Sequence, residues 1–249
     1  MRVSLARVVF LPLVFFILVV IAAVQPVQAQ VVQHDTAFVG LATTQAIQVY
    51  RNAVEINAHL YTGVEYFDYR KFLREGHQFW ETDEVRKGNI LYEGIWYEDV
   101  PMLYDIVKDE VVIRLENRAV HQKLISEKIK QFEQNGHTFV RLTTDSLQTY
   151  RAGFYDLLIN NQVQVLVHRV KIIEEVPENN LIKMVFRPAD TYLIFKEQHY
   201  QQVTNKRSFF AVFKDRKKEL QRYYRTNNLK FRTDKERTIV ALAAFYETL

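Results

Sequence analysis

The sequence predicts a β-rich α+β protein: an antiparallel meander, built as a curled sheet or a rolled barrel, with an N-terminal helix and a C-terminal helical pair packed on it. Between residues 60 and 203, short runs of β-branched and aromatic residues alternate with turn signals, as in strands. The polar connections between these runs are too short for the crossovers that parallel strands need. We therefore divide the chain into a signal peptide (1–29), a segment with a helix (30–59), a β domain (60–203) and a helical appendage (204–249).

The chain begins with the pattern of a secretory signal peptide. Two arginines give a positive start, an apolar run follows from Val8 to Val24, and Ala29 suits cleavage by a signal peptidase. A retained membrane anchor is the alternative, but the run is shorter than the ~20 residues of a membrane span and Pro12 interrupts it. We therefore expect cleavage after Ala29 and an exported protein.

A helix is expected between this signal and the β domain. Ile47, Tyr50 and Val54 recur at spacings of three and four, which places them on one helical face. We assign this helix to residues 44–56.

Several predicted strands are apolar on both faces. The segment Asn89–Tyr97, taken as one strand, directs Leu91 and Tyr97 to one side and Tyr92 and Trp96 to the other. A meander with one solvated face would alternate more cleanly. We therefore expect the helices at the two ends of the chain to cover the second face.

Helical spacing returns after the last predicted strand. The first C-terminal stripe consists of Phe209, Val212, Phe213, Leu220, Tyr223 and Tyr224. Asn227 and Asn228 end it, and Thr233 with Glu236 then match a capping box, in which two side chains satisfy free backbone amides at a helix start. The inner face of the second helix consists of Ile239, Leu242, Ala243 and Tyr246. This helical pair should pack on the sheet.

Composition excludes several kinds of chemistry. The chain has no Cys, so it has no disulfide, catalytic thiol or Cys-ligated metal. Its seven His include no pair at the i+3 or i+4 spacing of helical metal ligands, and no HExxH occurs. With 7 Gly it lacks a phosphate-binding loop, and it has neither GxSxG nor SxxK. We predict no catalytic residue, metal or cofactor.

The aromatic residues suggest one candidate site. They make up 13% of the chain, so most must be buried. Tyr92 and Trp96 share a face of the predicted strand with Gly94 between them, leaving a gap that a ligand ring could occupy. With Tyr104 they are our candidate ligand-binding residues. Packing of the same residues against a helix is the alternative.

Charge suggests a second candidate site. The chain carries +4 at pH 7, and +2 without the two arginines of the signal, a balance that disfavours nucleic acid as the partner. The segment Lys214–Arg237, however, has ten Lys and Arg against four Asp and Glu, a local charge of +6. It could contact anionic lipid headgroups, lipopolysaccharide phosphates or acidic glycans, or be only the solvated face of an amphipathic helix. The candidate contact residues are Lys214, Arg216, Lys217, Lys218, Arg222 and Arg225.

Five stretches carry a family resemblance. They are LYTGVEY (Leu60–Tyr66), GHQFW (Gly76–Trp80), GNILYEGIWYEDVPMLYD (Gly88–Asp105), GFYDLLI (Gly153–Ile159) and the tail that begins KRSFFAVFKDRKKELQRYYR at Lys206. In this order they resemble uncharacterised exported proteins of Gram-negative bacteria. The resemblance implies a location in the periplasm or at the outer membrane, a β-rich body and a helical tail. That family has no established activity, so no catalytic residues carry over.

We therefore expect a non-enzymatic envelope protein, a binding or structural module whose partner is an envelope protein, a lipid or a glycan, and which can contact a membrane peripherally. One alternative is a carrier of an apolar ligand inside a rolled sheet. Another is a hydrolase that uses the strand-end carboxylates Glu98, Asp99 and Asp105, since glycosidases need two carboxyl groups facing each other across a cleft.

Overall fold

The computed structural model describes residues 43, 60, 63–68, 74–114, 121–144 and 150–249. The chain divides into two units, Met1–Val54 and Glu55–Leu249, and every element named below belongs to the second. The predicted signal peptide and the predicted helix at residues 44–56 lie outside the described residues, and nothing in the structure supports that helix.

The described part of the second unit consists of strands followed by helices. The strands are β1 (Val64–Glu65), β2 (Arg74–Glu75), β3 (Arg86–Tyr92), β4 (Ile95–Asp105), β5 (Glu110–Arg114), β6 (His121–Lys123), β7 (Ile129–Gln134), β8 (His137–Leu142), β9 (Gly153–Asn160), β10 (Gln164–His168), β11 (Lys171–Glu178), β12 (Leu181–Pro188), β13 (Thr191–Lys196) and β14 (His199–Val203). A 3-10 turn spans Ser126–Lys128. The helices are α1 (Lys206–Val212), α2 (Lys217–Thr226) and α3 (Lys235–Tyr246).

These strands form two sheets. Eleven of them form one antiparallel sheet in the order β1-β6-β5-β4-β3-β7-β8-β9-β10-β13-β14. The other sheet has the order β11-β12-β2, and its short strand β2 runs parallel to β12. The predicted β-rich antiparallel body and the C-terminal helices are confirmed. Among the described strands the large sheet ends at β1 and β14, so it is open and the rolled barrel is wrong.

Four tight turns set the register of the hairpins. Glu93-Gly94, Asn135-Gly136, Asn179-Asn180 and Glu197-Gln198 each join paired strands, and both residues of every turn have positive φ. Two-residue loops of this conformation match the twist of the strands they join. Asn and Gly adopt positive φ most easily. The turns Asn135-Gly136 and Asn179-Asn180 are therefore the ones that the sequence reveals most clearly.

The first of these turns corrects the prediction for Asn89–Tyr97. The segment is a hairpin, not one strand, and Leu91 lies directly opposite Trp96. Directly opposite side chains share a face, so Trp96 lies with Leu91, and Tyr92 lies on the other face. Tyr92 is fully buried, whereas Trp96 is 37% exposed. The two rings therefore do not share a face.

The core of the first strands comes from the curl of the sheet itself. We call the face that carries Tyr104, Phe132, Phe139 and Phe154 the inner face, and the opposite face the outer face. The rings of Tyr104 and Phe154 have centroids 6.0 Å apart, although β4 and β9 are four strand positions apart in the sheet. A flat sheet would separate these strands by ~19 Å at ~4.8 Å per strand. The sheet must therefore curl until its inner face closes over these rings.

The last strands of the sheet are covered in a different way. Val165, Val167 and Ile194 pack against residues of the three helices, including Phe209 and Leu242. The helices thus pack on the sheet as expected, but on the end of β9 and on β10, β13 and β14. Among the described residues, the core that contains Tyr92 includes none from the C-terminal helices, so the prediction that these helices cover that part of the sheet is wrong.

The helical region differs from the prediction in two details. The predicted first stripe is divided between α1 and α2, so the C-terminal region has three helices where two were predicted. Thr233 and Glu236 form no capping box, because α3 begins after Asp234 and has no side-chain cap. A capping box occurs instead at α1, between Asn205 and Ser208. Glu236 has another partner, described below.

Candidate functional sites

The predicted ligand residues Tyr92, Trp96 and Tyr104 do not form one surface. Tyr92 and Tyr104 are buried in the inner-face core, and Trp96 is half-exposed on the opposite face. The Tyr104 hydroxyl donates to Asp109 at 2.6 Å. Burial, and then the charge of Asp109, raise the pKa of Tyr104 well above its ordinary value. The missed signal was Gly94, which marks a hairpin turn as readily as a gap in a strand.

The strand-end carboxylates are also kept apart. Glu98 and Asp99 are exposed, whereas Asp105 is fully buried. Asp105 accepts hydrogen bonds from the Tyr66 hydroxyl at 2.8 Å and from two backbone amides of the following turn. Burial raises its pKa. Its oxygens hold this turn together, and no facing pair of carboxyl groups results, so the geometry does not favour the hydrolase.

The interior of the curl leaves little room for an apolar ligand. The rings of Phe132 and Phe139 stack with centroids 4.7 Å apart, and Phe154 lies edge-on to Phe132 at 5.3 Å. Tyr104 contacts both Phe132 and Phe139 at 5.1 Å. Rings packed at these distances make favourable aromatic pairs. The carrier hypothesis is therefore disfavoured for this part of the molecule.

The six predicted cationic residues belong to α2 and to the short segment before it. All of them are exposed, four on α2 and two just before it. We call this surface the cationic face; it consists of Lys214, Arg216, Lys217, Lys218, Arg222 and Arg225. The opposite side of α2 carries Leu220, which is fully buried in the helical core. The helix therefore presents charge outward and holds its apolar side inward.

The carboxylates near the cationic face are already engaged. Asp215 accepts from the ammonium of Lys196 at 2.6 Å and from the hydroxyl of Tyr246 at 2.7 Å. Burial opposes its ionisation, but these two hydrogen bonds prevail and lower the pKa of Asp215. Glu219 lies 3.8 Å from Arg216. Within the described residues, the other five cations of the face have no ion pair, so their charge is available to a partner.

A cavity of about 600 Å³ lies on the outer face of the first strands. We call it the polar cavity. Its lining comes from β1, β2, β4, β5 and β6, from residues between β1 and β2 and from residues between β2 and β3. Its lining residues include two arginines (Arg74 and Arg114), two histidines (His77 and His121) and three acidic residues (Glu65, Asp68 and Asp83). Sequence reasoning missed this site because its residues come from strands far apart in the chain.

Hydrogen bonds fix the residues at the base of the polar cavity. The Gln78 amide donates to the Tyr66 hydroxyl at 3.1 Å and to Asp68 at 2.5 Å. The ammonium of Lys171 donates to the carbonyl of His77 at 2.9 Å and to that of Phe79. Burial, and then the nearby charge of Lys171, lower the pKa of His77, so its imidazole is neutral at pH 7.

A second polar cluster joins the two cores. The guanidinium of Arg169 donates to Asp156 at 2.6 Å, to Asp190 at 3.2 Å and to Glu236 at 2.5 Å. Asp156 is fully buried on β9 and also lies 2.9 Å from the Nδ1 atom of His137. Because Glu236 belongs to α3, this cluster ties that helix to the sheet. We call it the Arg169 cluster, and its role in the described structure is to connect these elements.

The described part of the chain contains no group of three or more His, Asp and Glu that could hold a metal ion. No helix in that part is long and apolar enough to cross a membrane. The chain matches no protein-family model, no curated protein and no solved structure. Its function must therefore be inferred from its own surfaces and cavities.

Proposed function

We propose that this chain is a non-enzymatic protein, exported to the periplasm or outer membrane of a Gram-negative bacterium, whose cationic face attaches it peripherally to anionic lipid headgroups. The signal-peptide pattern that ends at Ala29 supports export. The observation that carries the attachment is the set of exposed cations on and before α2 that have no ion pair among the described residues, while the nearby carboxylates are engaged.

The magnitude of this attraction is sufficient for reversible attachment. Each Lys or Arg near an anionic membrane surface contributes about 1 kcal/mol, and the attraction declines within a Debye length of about 10 Å at 0.1 M salt. Leu220 is buried in the protein, so α2 cannot also insert its apolar side into lipid. We therefore expect binding that depends almost entirely on charge, unlike that of an interfacial amphipathic helix, which buries apolar surface in the bilayer.

Vesicle co-sedimentation across a salt series tests the attachment. The full mature chain should sediment with phosphatidylglycerol vesicles at low salt, remain in solution with phosphatidylcholine vesicles, and be released as salt increases. The double variant Lys217→Glu/Lys218→Glu should bind at least about tenfold more weakly, because two attractive charges become repulsive. No sedimentation at low salt would refute the proposal.

A matched double variant provides the control. Lys87 and Lys130 are exposed on β3 and β7, and Lys87→Glu/Lys130→Glu changes the net charge by the same amount. This control should keep most of the vesicle affinity. An equal loss in both double variants would show that net charge, not the cationic face, determines binding.

Export has a separate test. N-terminal sequencing of the protein from the periplasmic fraction should begin at Gln30, the residue after the expected cleavage point. An intact Met1 on that protein would contradict cleavage.

A further inference from the structure

Beyond attachment, we infer that the polar cavity is a binding site for a short peptide with free ends, a zwitterionic ligand whose carboxylate is held by Arg114 and whose ammonium is held by Asp83. This inference goes beyond the proposed function and does not depend on it, since the cavity lies on the first strands and the cationic face lies on α2.

The size of the cavity suits such a ligand. Its volume is about 600 Å³. Small-molecule sites in proteins are typically clefts of about 300–1,000 Å³ that combine apolar walls with a few polar groups. A peptide of two or three residues occupies a substantial part of that volume, whereas a single metal ion or phosphate would leave most of it filled with water.

Unpaired charges of both signs identify the ligand chemistry. Arg114 and Asp83 line the cavity and are exposed, and neither has an ion pair or side-chain hydrogen bond among the described residues. In contrast, Asp68 already accepts from Gln78 and lies 3.6 Å from Arg74. Among its described lining residues, the cavity thus offers the unpaired cation of Arg114 and the unpaired carboxylate of Asp83 to a ligand.

A neutral ligand would fit these charges poorly. Covering a charged side chain removes its hydration, and this costs free energy unless an opposite charge or a hydrogen bond replaces the water. An uncharged sugar ring would replace that hydration only in part. A free peptide carries one carboxylate and one ammonium, so both signs of charge in the cavity acquire a counterion. Charge complementarity therefore favours a peptide with free ends over a neutral saccharide.

The walls can accept the apolar part of a peptide. Phe67 lines the cavity and is 71% exposed, while Phe79 and Leu103 are buried at its base. A peptide side chain placed over Phe67 would remove apolar surface from water, which favours binding. The buried bonds of Gln78, Tyr66 and Lys171 hold this base in place before binding, which reduces the ordering cost of association.

Isothermal titration calorimetry with the full mature chain tests the inference. The probes are a panel of dipeptides with one aromatic or aliphatic side chain, such as Ala-Phe, each compared with its N-acetylated and C-amidated form. At least one free dipeptide should bind with a sub-millimolar Kd, and its blocked form should bind at least about tenfold more weakly, a difference of about 1.4 kcal/mol. The absence of binding by any free dipeptide, or equal binding by free and blocked forms, would overturn the inference.

Substitutions locate the binding site. Arg114→Ala and Asp83→Asn should each weaken dipeptide binding by about tenfold or more, since each removes a partner of one peptide end. Both side chains are exposed, so the fold should be kept, and two variants ensure that the result does not depend on one substitution. Arg237→Ala, an exposed arginine on α3, is the matched control and should bind normally.

Vesicle binding separates this inference from the proposed function. Arg114→Ala should co-sediment with anionic vesicles like the parent chain, and Lys217→Glu/Lys218→Glu should bind the dipeptide normally. If Arg114→Ala leaves dipeptide affinity unchanged, or if the control Arg237→Ala loses it, the cavity is not the binding site.

Discussion

Two regions of the large sheet bury the same inner face by different means. In the strands around β4, β7 and β9 the sheet curls, and four aromatic rings at 4.7–6.0 Å fill the space between its own strands. On β10, β13 and β14 the inner face is covered by three helices instead. The registers of β8, β9 and β10 show that Phe139, Asp156 and Val167 lie on one continuous face. A strand pattern therefore reveals that a face is buried without revealing what buries it.

A substitution in either core should destabilise mainly that core, and these substitutions should have the largest effect on the free energy of unfolding. Phe139→Ala in the curl and Phe209→Ala under the helices should each lower the free energy of unfolding by about 3–5 kcal/mol, as is usual for loss of a buried phenyl ring. Urea denaturation measures this loss. Hydrogen exchange should show faster exchange mainly in β7 and β8 for the first variant and in α1 and β13 for the second. Identical exchange patterns would contradict the division into two cores.

The Arg169 cluster joins the two cores, so breaking it should have the next largest effect. Arg169→Met should lower the free energy of unfolding by about 3 kcal/mol, because it leaves the carboxylate of Asp156 buried without its cation. The control Arg237→Met removes an exposed arginine 3.7 Å from Asp234 and should change it by less than about 1 kcal/mol. Urea denaturation of both variants checks this, and similar losses would show that the cluster contributes no more than a surface ion pair.

Local signals made the antiparallel β-rich body and the C-terminal helices predictable. Alternating runs and turns such as Asn135-Gly136 depend on neighbouring residues, and the sequence displays them directly. The prediction was wrong where a local pattern had two meanings. Gly94 reads as a gap inside a strand or as a turn residue, and Glu236 reads as a capping residue, whereas its partner Arg169 is 67 residues away.

Nonlocal geometry made the rest unpredictable. The curl brings Tyr104 to Phe154 through four strand pairings, and no short stretch of sequence contains that information. The polar cavity has the same origin, because Glu65, Asp83 and Arg114 belong to three separate segments. The exposure of the six basic residues, in contrast, could be predicted, since the spacing of a helix reveals which of its side chains face solvent. The partner of the cationic face stays a prediction.

Acidification should change the stabilising contributions of Glu236 and Asp105 in opposite directions. Both changes should be smaller than the losses from the core substitutions and from Arg169→Met. Although burial raises the pKa of Glu236, the hydrogen bond from Arg169 prevails and lowers it below its ordinary 4.5. Glu236 therefore stabilises the protein above pH 4.5, and this contribution is lost as pH falls through the folded-state pKa. Burial raises the pKa of Asp105 above 3.8, so its contribution is present below pH 3.8 and is lost as pH rises through the folded-state pKa.

Urea denaturation at a series of pH values between about 3 and 6 separates these contributions. Glu236→Gln should reduce the loss of stability on acidification, because the variant has no carboxylate at that position to protonate. Asp105→Asn should make the loss of stability on acidification steeper. Of the two groups, Asp105 is the one whose contribution to stability increases as pH falls, and the variant lacks it. The same pH slope in both variants would contradict the assigned directions.

The smallest effect on stability, and the sharpest test of the corrected hairpin, comes from the two tryptophans. Trp80 is 7% exposed and lies edge-on to the rings of His137 and Phe139 at 5.0 and 4.9 Å, whereas Trp96 is 37% exposed on the outer face. Trp96→Phe leaves only Trp80, so emission should shift to the blue and acrylamide should quench it weakly. Trp80→Phe leaves only Trp96, whose emission should lie further to the red and be readily quenched.

Trp96→Phe should change the free energy of unfolding by about 0.5 kcal/mol or less, as at other surface positions. If Trp96 instead shared the buried face of Tyr92, as one continuous strand requires, it would resist quenching as strongly as Trp80 does.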